Sequence, residues 1–210
     1  TAVLTQPIDS VDLVVVDVET TGLDPKLGDR VCEIGAIRWN GGREVDRFHS
    51  MVNPERSIPP DASRINGITA DMVQDAPVAA EIMPAFTSFV GEGVFAAYNA
   101  PFDLGFLRAE LAHAGLHAPS WTVIDVLALA RHLLPSLPSH KLVSVARELG
   151  VADGQVHRAL EDVEITGRVL HRFLGQLKAH GIDMVWEVVH LTRDSRPGGS
   201  RRRRSGRRKR

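Results

Sequence analysis

The chain has 210 residues, of which 43% are hydrophobic and 24% are charged, a composition typical of a folded domain with a sizeable core. Its single cysteine, Cys32, excludes an intrachain disulfide scaffold and a cysteine-built zinc site. The sequence has no apolar run of about 18 residues or more, no basic-then-apolar signal peptide pattern at its start and no internal repeat. We therefore expect a cytoplasmic protein that is neither membrane-spanning nor fibrous.

Charge is distributed unevenly along the chain, although the net charge is only −1. Residues 193–210 contain ten Lys and Arg and one acid, which leaves 15 basic and 25 acidic residues in 1–192. This terminal segment offers almost nothing apolar to bury and its charges repel one another, so we predict a disordered basic tail. Such a tail could serve as a solubilising terminus or as a tether to nucleic acid, and its clustered arginines favour the tether.

The first half of the chain predicts three strands and a long connection. Continuous apolar and β-branched residues predict a buried strand at 11–18. Strands are also predicted at 31–39 and 44–52, and the Asn-Gly-Gly sequence between them is typical of a hairpin turn. Residues 53–75 are rich in Pro, Asp, Ser and Gly, which indicates a connection with short helical turns.

The second half alternates strands with helices. Apolar spacing predicts a helix at 78–90, a short strand at 94–97, a helix that begins at Pro101 and a strand at 121–124. Four further helices are predicted, at 126–134, 141–149, 159–177 and 184–191. This order of elements predicts a mixed sheet flanked by helices in one α/β domain.

Asp17 and Glu19 are two carboxylates at positions i and i+2 near the end of the first strand. This spacing directs both side chains to one face of the sheet. Neighbouring carboxylates are costly to ionise together, and a divalent cation removes that cost. The alternative is that the strand ends here and both acids are solvated. Without the rest of the sequence, the pair of acids favours this alternative.

Three further residues could take part in chemistry. Asp103 is predicted in the first turn of a helix, where an acid commonly stabilises the helix dipole. His157 and Asp162 are separated by a spacing that places them on different faces if both are helical. We therefore expect His157 in the preceding loop and Asp162 on the helix. A lone histidine at such a position is commonly structural or solvated.

These acids and the histidine lie in three ordered motifs, VVVDVETTGL, YNAPFDLGFL and HRALEDVEIT. Together the motifs resemble the DEDDh family of 3′-to-5′ exonucleases, and they are most similar to the proofreading epsilon subunits of bacterial DNA polymerase III. The resemblance covers about residues 12–175. It implies a ribonuclease H-like domain with a mixed five-stranded sheet at 11–192, preceded by an N-terminal extension at 1–10 and followed by the basic tail at 193–210.

The resemblance also implies a catalytic centre. In this family the acids matching Asp17, Glu19, Asp103 and Asp162 hold two divalent metal ions, with Mg²⁺ as the natural ion and Mn²⁺ as a substitute. His157 matches the general base, whose ordinary pKa suits work near neutral pH. The implied reaction is two-metal hydrolysis that releases 5′-mononucleotides from a 3′ end.

The residues implied in substrate binding are Thr20, Thr21, Gly22, Leu23, Asn99 and Phe102. The first three would contact the terminal 3′-OH, the leucine would wedge against the last base, and the last two would line the path of the strand. Core packing is the alternative for the leucine and the phenylalanine. Asp125 either supports the site or is a helix N-cap.

Three positions depart from the family pattern. Tyr98 and Asn66 stand where many members have histidine, and Glu161 adds an acid beside Asp162. None of these departures removes one of the five residues implied in metal binding or in proton transfer.

The resemblance implies a DNA exonuclease of the proofreading or repair type, acting on single-stranded or frayed 3′ ends in the nucleoid-associated cytoplasm. Its implied partners are DNA, which the tail at 193–210 would also bind, and a replicative DNA polymerase. A 3′-to-5′ exoribonuclease is a second interpretation, because related families use the same five residues on RNA. A catalytically silent nucleic-acid-binding or polymerase-scaffolding module is a third, against which the complete set of five residues argues.

Overall fold

Five strands form one mixed sheet in the computed structural model, which describes residues 2–152 and 158–194. The strands are β1 (Leu13–Thr20), β2 (Val31–Asn40), β3 (Arg43–Met51), β4 (Val94–Ala97) and β5 (Val123–Asp125). Their order in the sheet is β3-β2-β1-β4-β5. β2 is antiparallel to both β1 and β3, whereas β1, β4 and β5 are parallel to one another. The predicted mixed five-stranded sheet is thereby confirmed.

Helices cover both faces of this sheet. They are α1 (Pro60–Asn66), α2 (Ala70–Val73), α3 (Ala79–Val90), α4 (Ala100–His113), α5 (Val126–Leu133), α6 (Leu142–Glu148), α7 (Ala159–Ala179) and α8 (Val185–Asp194). The two shortest, α1 and α2, lie in the connection for which short helical turns were predicted. Within the described ranges, no helix combines the length and apolarity needed to cross a bilayer.

Successive side chains of β1 point to opposite faces of the sheet, so the strand contributes to a separate hydrophobic cluster on each face. Leu13 and Val15 belong to a cluster formed with α5, α7 and α8, whereas Val14 and Val16 belong to a cluster formed with α3 and α4. The N-terminal residues pack against the first cluster, because Ile8 is buried and its N–H donates to the Asp183 carbonyl at 2.7 Å.

The first strand extends two residues beyond the predicted end at residue 18. Asp17 pairs with Gly35 and Glu19 pairs with Glu33, so hydrogen bonding to β2 continues through the polar residues. Since β1, β4 and β5 are parallel, their carboxyl ends meet at one edge of the sheet. The predicted acids of β1 and the start of α4 therefore lie at the same edge.

Candidate active site

Three carboxylates meet at the carboxyl end of β1. Asp17 and Glu19 project from the strand, and Asp162 lies in the first turn of α7. One ligand oxygen from each of the three lies within 4.8 Å of the others. The start of α7 packs closely on the sheet because Gly35 has no side chain: a Cβ there would lie 2.8 Å from the backbone carbon of Ala159. The cluster has the all-oxygen composition of a divalent cation site.

Asp103 is a fourth acid, and it approaches this cluster from the first turn of α4. Its side chain is buried, and its Oδ1 accepts a hydrogen bond from the Val18 backbone N–H at 3.2 Å. Its Oδ2 is buried and has no hydrogen-bond partner within the part of the chain that the structure describes. A buried carboxylate oxygen without a donor is the feature that a bound cation would satisfy.

Burial is the main cause that raises the pKa of all four acids. It raises the pKa of Glu19 to about 8, with a further contribution from Asp162. It raises the pKa of Asp162 to about 7, with a contribution from Glu161, the added acid noted in the sequence. Burial and neighbouring carboxylates also hold the pKa values of Asp17 and Asp103 well above their ordinary range.

The donor set fits a hard divalent cation such as Mg²⁺ or Mn²⁺. Both ions prefer carboxylate oxygens, and their charge would offset the burial and the mutual repulsion that raise the four pKa values. Cys32 lies near enough for the charge of Glu19 to affect it, but burial raises the pKa of its thiol to about 12. A protonated thiol is a poor metal ligand, so the candidate ligands of the site are the carboxylate oxygens.

Glu33 and Arg158 anchor the start of α7, and sequence reasoning missed both. Glu33 is only 1% exposed on β2. Its carboxylate accepts hydrogen bonds from Arg158 Nη2 at 2.7 Å, from Arg158 Nε at 3.1 Å and from the Ala159 backbone N–H at 3.3 Å. His49 Nε2 lies 2.8 Å from the same carboxylate. An acid within the apolar run VCEIGAI was the available signal, since a buried acid requires a partner.

A pocket of about 450 Å³ opens beside Glu19. Five of the six predicted substrate-binding residues line it, namely Thr20, Thr21, Gly22, Leu23 and Phe102. The side chain of Leu23 is 83% exposed, so the alternative of core packing is wrong for this residue. Ile65, from α1, is a second exposed apolar side chain in the lining, and none of the three sequence motifs contains it. The pocket therefore offers apolar walls next to carboxylates.

The loop that follows β1 is held by hydrogen bonds within the protein. Thr21 exchanges two with Arg30, at 2.9 and 3.0 Å. Arg30 in turn donates to the buried Glu110 of α4, with Nη2 2.8 Å from Oε2. The absence of a side chain at Gly22 lets the carboxylate of Asp29 approach the loop, since a Cβ there would lie 2.2 Å from it. This loop is consequently fixed against α4.

Asn66, noted in the sequence as a departure from histidine, lies in the site. Its side chain is buried, and its Nδ2 donates to the Thr20 carbonyl at 3.3 Å. The same side-chain amide lowers the pKa of the Glu19 carboxyl group against the effect of burial. Asparagine at this position therefore supplies a neutral donor to one of the clustered acids.

The remaining predicted residues lie around the start of α4. Phe102 packs on Phe106 with ring centroids 5.0 Å apart while it also lines the pocket. Asn99 precedes α4 with a φ of 70° and does not line the pocket. Asp125 is the N-cap of α5, accepting from the Leu127 N–H at 3.1 Å, and it also hydrogen-bonds the backbone at the start of α4. It is thus an N-cap that also holds the helix carrying Asp103.

His157, the predicted general base, lies outside the described residues, as does most of the predicted basic tail. The next residue in the chain, Arg158, is described and is fixed by Glu33.

Comparisons with known proteins agree with this geometry. The family model RNase_T, described as Exonuclease, matches residues 14–170. A PolC-type DNA polymerase III of Thermotoga maritima is 40% identical over 181 residues, which cover 85% of this chain and 13% of the relative. The 3′-5′ exonuclease DinG of Bacillus subtilis is 35% identical over 165 residues, covering 79% of this chain and 18% of the relative. The chain thus spans less than a fifth of either curated relative.

Among solved structures, Exonuclease X in complex with 5′ overhanging duplex DNA superimposes with a TM-score of 0.67 at 26% identity. The match covers 86% of this chain and 99% of that structure. It confirms the ribonuclease H-like fold expected from the three motifs. Because the family model matches residues 14–170, which is most of this chain, the chain belongs to the exonuclease family.

Proposed function

We propose that this chain is a metal-dependent 3′-to-5′ DNA exonuclease of the DEDDh type, which releases 5′-mononucleotides. The observation that carries the proposal is the acid cluster of Asp17, Glu19 and Asp162, with ligand oxygens within 4.8 Å of one another beside an apolar pocket. We call the pocket lined by Leu23 and Glu19 the terminal-base pocket, because a pocket of this kind suits a terminal base. The cluster suits the phosphodiester attached to that base.

Two divalent cations, Mg²⁺ or Mn²⁺, would be held by the three clustered acids together with Asp103. When bound, such ions neutralise the phosphodiester and make a water molecule more acidic. The four carboxylates must be ionised to hold them, which their raised pKa values oppose in the absence of metal.

The side chains and backbone of this protein would divide the remaining work. Leu23 and Ile65 would contact the terminal base, and the backbone at Thr21 and Gly22 would contact the 3′-OH. His157 would accept the proton of the attacking water through an imidazole nitrogen. The water oxygen forms a bond to phosphorus as the bond from phosphorus to the O3′ of the preceding nucleotide breaks, and that O3′ takes a proton from solvent.

Degradation of a 5′-labelled single-stranded DNA tests this proposal. We expect a ladder that shortens from the 3′ end in Mg²⁺, disappears in EDTA and is absent with the Asp17→Asn variant. The variant should remain folded, because it removes one of several like charges. Internal cleavage, or a ladder that persists in EDTA, would exclude the proposed reaction. An absence of turnover with any divalent metal would favour the scaffolding module instead.

DNA is the proposed substrate because the relatives include polymerases of DNA and Exonuclease X was solved on duplex DNA. A matched RNA strand in the same assay distinguishes the exoribonuclease interpretation. Faster cleavage of RNA than of DNA would show that RNA is the preferred substrate and would favour the exoribonuclease interpretation.

The resemblance to PolC-type relatives also leads us to propose that the chain acts at 3′ ends made by a replicative polymerase, in proofreading or in repair. The tail at 193–210 would tether the acidic body to DNA in the nucleoid-associated cytoplasm. Removal of residues 195–210 should weaken DNA binding and reduce its salt dependence. Equal binding at every salt concentration would contradict the tether.

A further inference from the structure

A second pocket, which shares no lining residue with the terminal-base pocket, lies next to the residue that follows β4. It has a volume of about 420 Å³, and its lining includes Tyr98, Arg131, Ser139, His140 and Lys141. Tyr98 directly follows β4, and Arg131 lies on α5, which directly follows β5. We refer to this pocket as the distal pocket. It lies at the same sheet edge as the acids, because β1, β4 and β5 are parallel neighbours.

Asp125 connects the distal pocket to the acid cluster. Its charge acts on the hydroxyl of Tyr98 in the distal pocket and also on the carboxyl of Asp103 in the cluster. Asp125 ends β5 and pairs with Ala97 of β4, which directly precedes Tyr98, so the distal pocket lies one strand along the sheet from the acids of β1.

The charges of the distal pocket are available to a ligand. Within the described ranges, neither Arg131 nor Lys141 forms an ion pair. Arg30 and Arg158, by contrast, are neutralised by acids: Arg30 binds Glu110, and Arg158 binds Glu33. Arg131 and Lys141 are thus two unpaired cations at the sheet edge that also carries the four acids, whose charge would otherwise repel a polyanion.

The segment that carries Lys141 is fixed in place. The Tyr98 hydroxyl donates to the His140 carbonyl at 2.6 Å, and His140 Nε2 lies 2.9 Å from the Leu134 carbonyl. These two interactions hold the loop between α5 and α6 against the residue that follows β4. Tyrosine, one of the departures from the family pattern, thereby builds a wall of the distal pocket.

The order of the sheet accommodates a strand that runs from the terminal-base pocket to the distal pocket. The terminal-base pocket follows β1, the acids lie at the ends of β1 and at the start of α4, and the distal pocket lies beyond β4 towards β5. A scissile phosphodiester has the terminal nucleoside on one side and the rest of the strand on the other. With the terminal base near Leu23, the rest of the strand would leave towards Arg131 and Lys141.

We propose that Arg131 and Lys141 form a phosphate-binding subsite for the nucleic acid strand on the 5′ side of the scissile phosphodiester. This inference rests on the proposed exonuclease function. Each cation can bind a backbone phosphate without reading sequence. The subsite holds the strand that remains after cleavage, so it acts on substrate affinity and leaves the chemical step unchanged.

The test compares two substrates in the Arg131→Ala/Lys141→Ala variant. One is a single-stranded oligothymidylate, and the other is the 4-nitrophenyl ester of thymidine 5′-monophosphate, which has no strand to reach the distal pocket. For the oligonucleotide we expect KM to rise about tenfold with kcat unchanged. The slope of log binding constant against log salt should become shallower by about 0.7 for each phosphate that the variant no longer binds. Hydrolysis of the ester should equal that of the unmodified chain.

The matched control is Arg147→Ala/Arg172→Ala, which removes the same charge from two exposed arginines outside the distal pocket. If both double variants raise the oligonucleotide KM equally, the effect is one of net charge and the subsite does not exist. Equal losses of activity on ester and oligonucleotide would assign the two residues to the stability of the catalytic centre instead. If the unmodified chain hydrolyses neither substrate, the proposed exonuclease function fails, and this outcome is distinct from failure of the subsite.

Discussion

The guanidinium of Arg158 binds the buried carboxylate of Glu33 across the start of α7, with Arg158 Nη2 2.7 Å from Glu33 Oε1. Glu33 faces Glu19 in the neighbouring strand, and Arg158 directly follows His157 in the chain. The positive charge of Arg158 lowers the pKa of Glu19 against the effect of burial. This ion pair thus holds the start of the helix that carries Asp162 and the residue next to the proposed base. Its arginine also offsets part of the negative charge of the metal site.

Arg158→Ala should lower kcat by about 10- to 100-fold, because small displacements of catalytic groups have effects of this size. KM for single-stranded DNA should change little, since the terminal-base pocket is formed by other residues. Arg158→Lys should recover only part of the activity, because lysine cannot make the two-point contact with the carboxylate. Steady-state kinetics of the two variants at saturating Mg²⁺ measure this, and wild-type kcat in Arg158→Ala would show that the pair does not position the site.

Without metal, the chain should become less stable as the pH rises from about 5 to about 8. Burial raises the pKa of Glu19 from 4.5 to about 8 and that of Asp162 from 3.8 to about 7. The folded state therefore binds more protons than the unfolded state between those values, so its unfolding free energy falls with rising pH. Saturating Mn²⁺ should raise Tm more at pH 8 than at pH 6, because ligand carboxylates must be ionised. Thermal unfolding in EDTA and in Mn²⁺ at several pH values measures both effects, and a metal-free Tm that rises over this range would contradict the account.

Asp17→Asn should abolish activity and at the same time stabilise the metal-free chain at pH 8. The substitution removes one of four neighbouring carboxylates whose repulsion and burial raise their pKa values. We expect Tm in EDTA to rise by about 2–4 °C, which corresponds to about 1 kcal/mol for a chain of this size. Mn²⁺ should no longer raise Tm appreciably. A lower Tm in EDTA would show that the carboxylate stabilises the fold instead of serving the metal site.

Leu23→Ala should weaken substrate binding without affecting stability. Leu23 is 83% exposed, so the unfolding free energy should change by less than about 0.5 kcal/mol. Removal of the apolar surface that would meet the terminal base should raise KM about fivefold, equivalent to about 1 kcal/mol. Leu27→Ala is the matched control, because Leu27 is 81% exposed and does not line the pocket. Equal KM values for the two variants would remove Leu23 from the substrate site.

Arg30→Ala should destabilise the fold by about 3 kcal/mol, because it leaves the carboxylate of Glu110 buried without its charged partner. Glu110 is only 1% exposed, and Arg30 donates to it through Nε and Nη2. Arg64→Ala removes an exposed partner of Asp61 and should change stability by less than about 1 kcal/mol. Urea unfolding of the two variants measures the difference, and similar values would show that burial of Glu110 has little energetic consequence.

Local patterns in the sequence predicted the parts of the fold that depend on local physics. The helix at 78–90 and the strand at 94–97 follow from apolar spacing, and α3 and β4 lie within one residue of those bounds. The end of β1 was wrong by two residues because hydrogen bonding to β2 outweighs the low strand preference of Asp and Glu. The three motifs identified the acids of the site, since each motif is continuous in sequence.

Long-range pairs could not be predicted in this way. Glu33 and Arg158 are 125 residues apart, and Arg30 and Glu110 are 80 residues apart. The local sequence around each of these four residues does not specify its partner, because the packing of α4 and α7 on the sheet decides the pairing. Asn66 appeared in the sequence only as a departure from histidine, and its interaction with Glu19 depends on where α1 lies.

The chemical identity of the product tests the central claim most directly. The chain is incubated with single-stranded DNA and Mg²⁺ in water enriched in ¹⁸O, and the released nucleotides are analysed by mass spectrometry. Hydrolysis at the 3′ end predicts nucleoside 5′-monophosphates that carry one ¹⁸O, formed by the unmodified chain and absent with Asp103→Asn. Nucleoside 3′-phosphates, products without ¹⁸O, or equal release by Asp103→Asn would contradict the proposal that these carboxylates serve a 3′-to-5′ exonuclease.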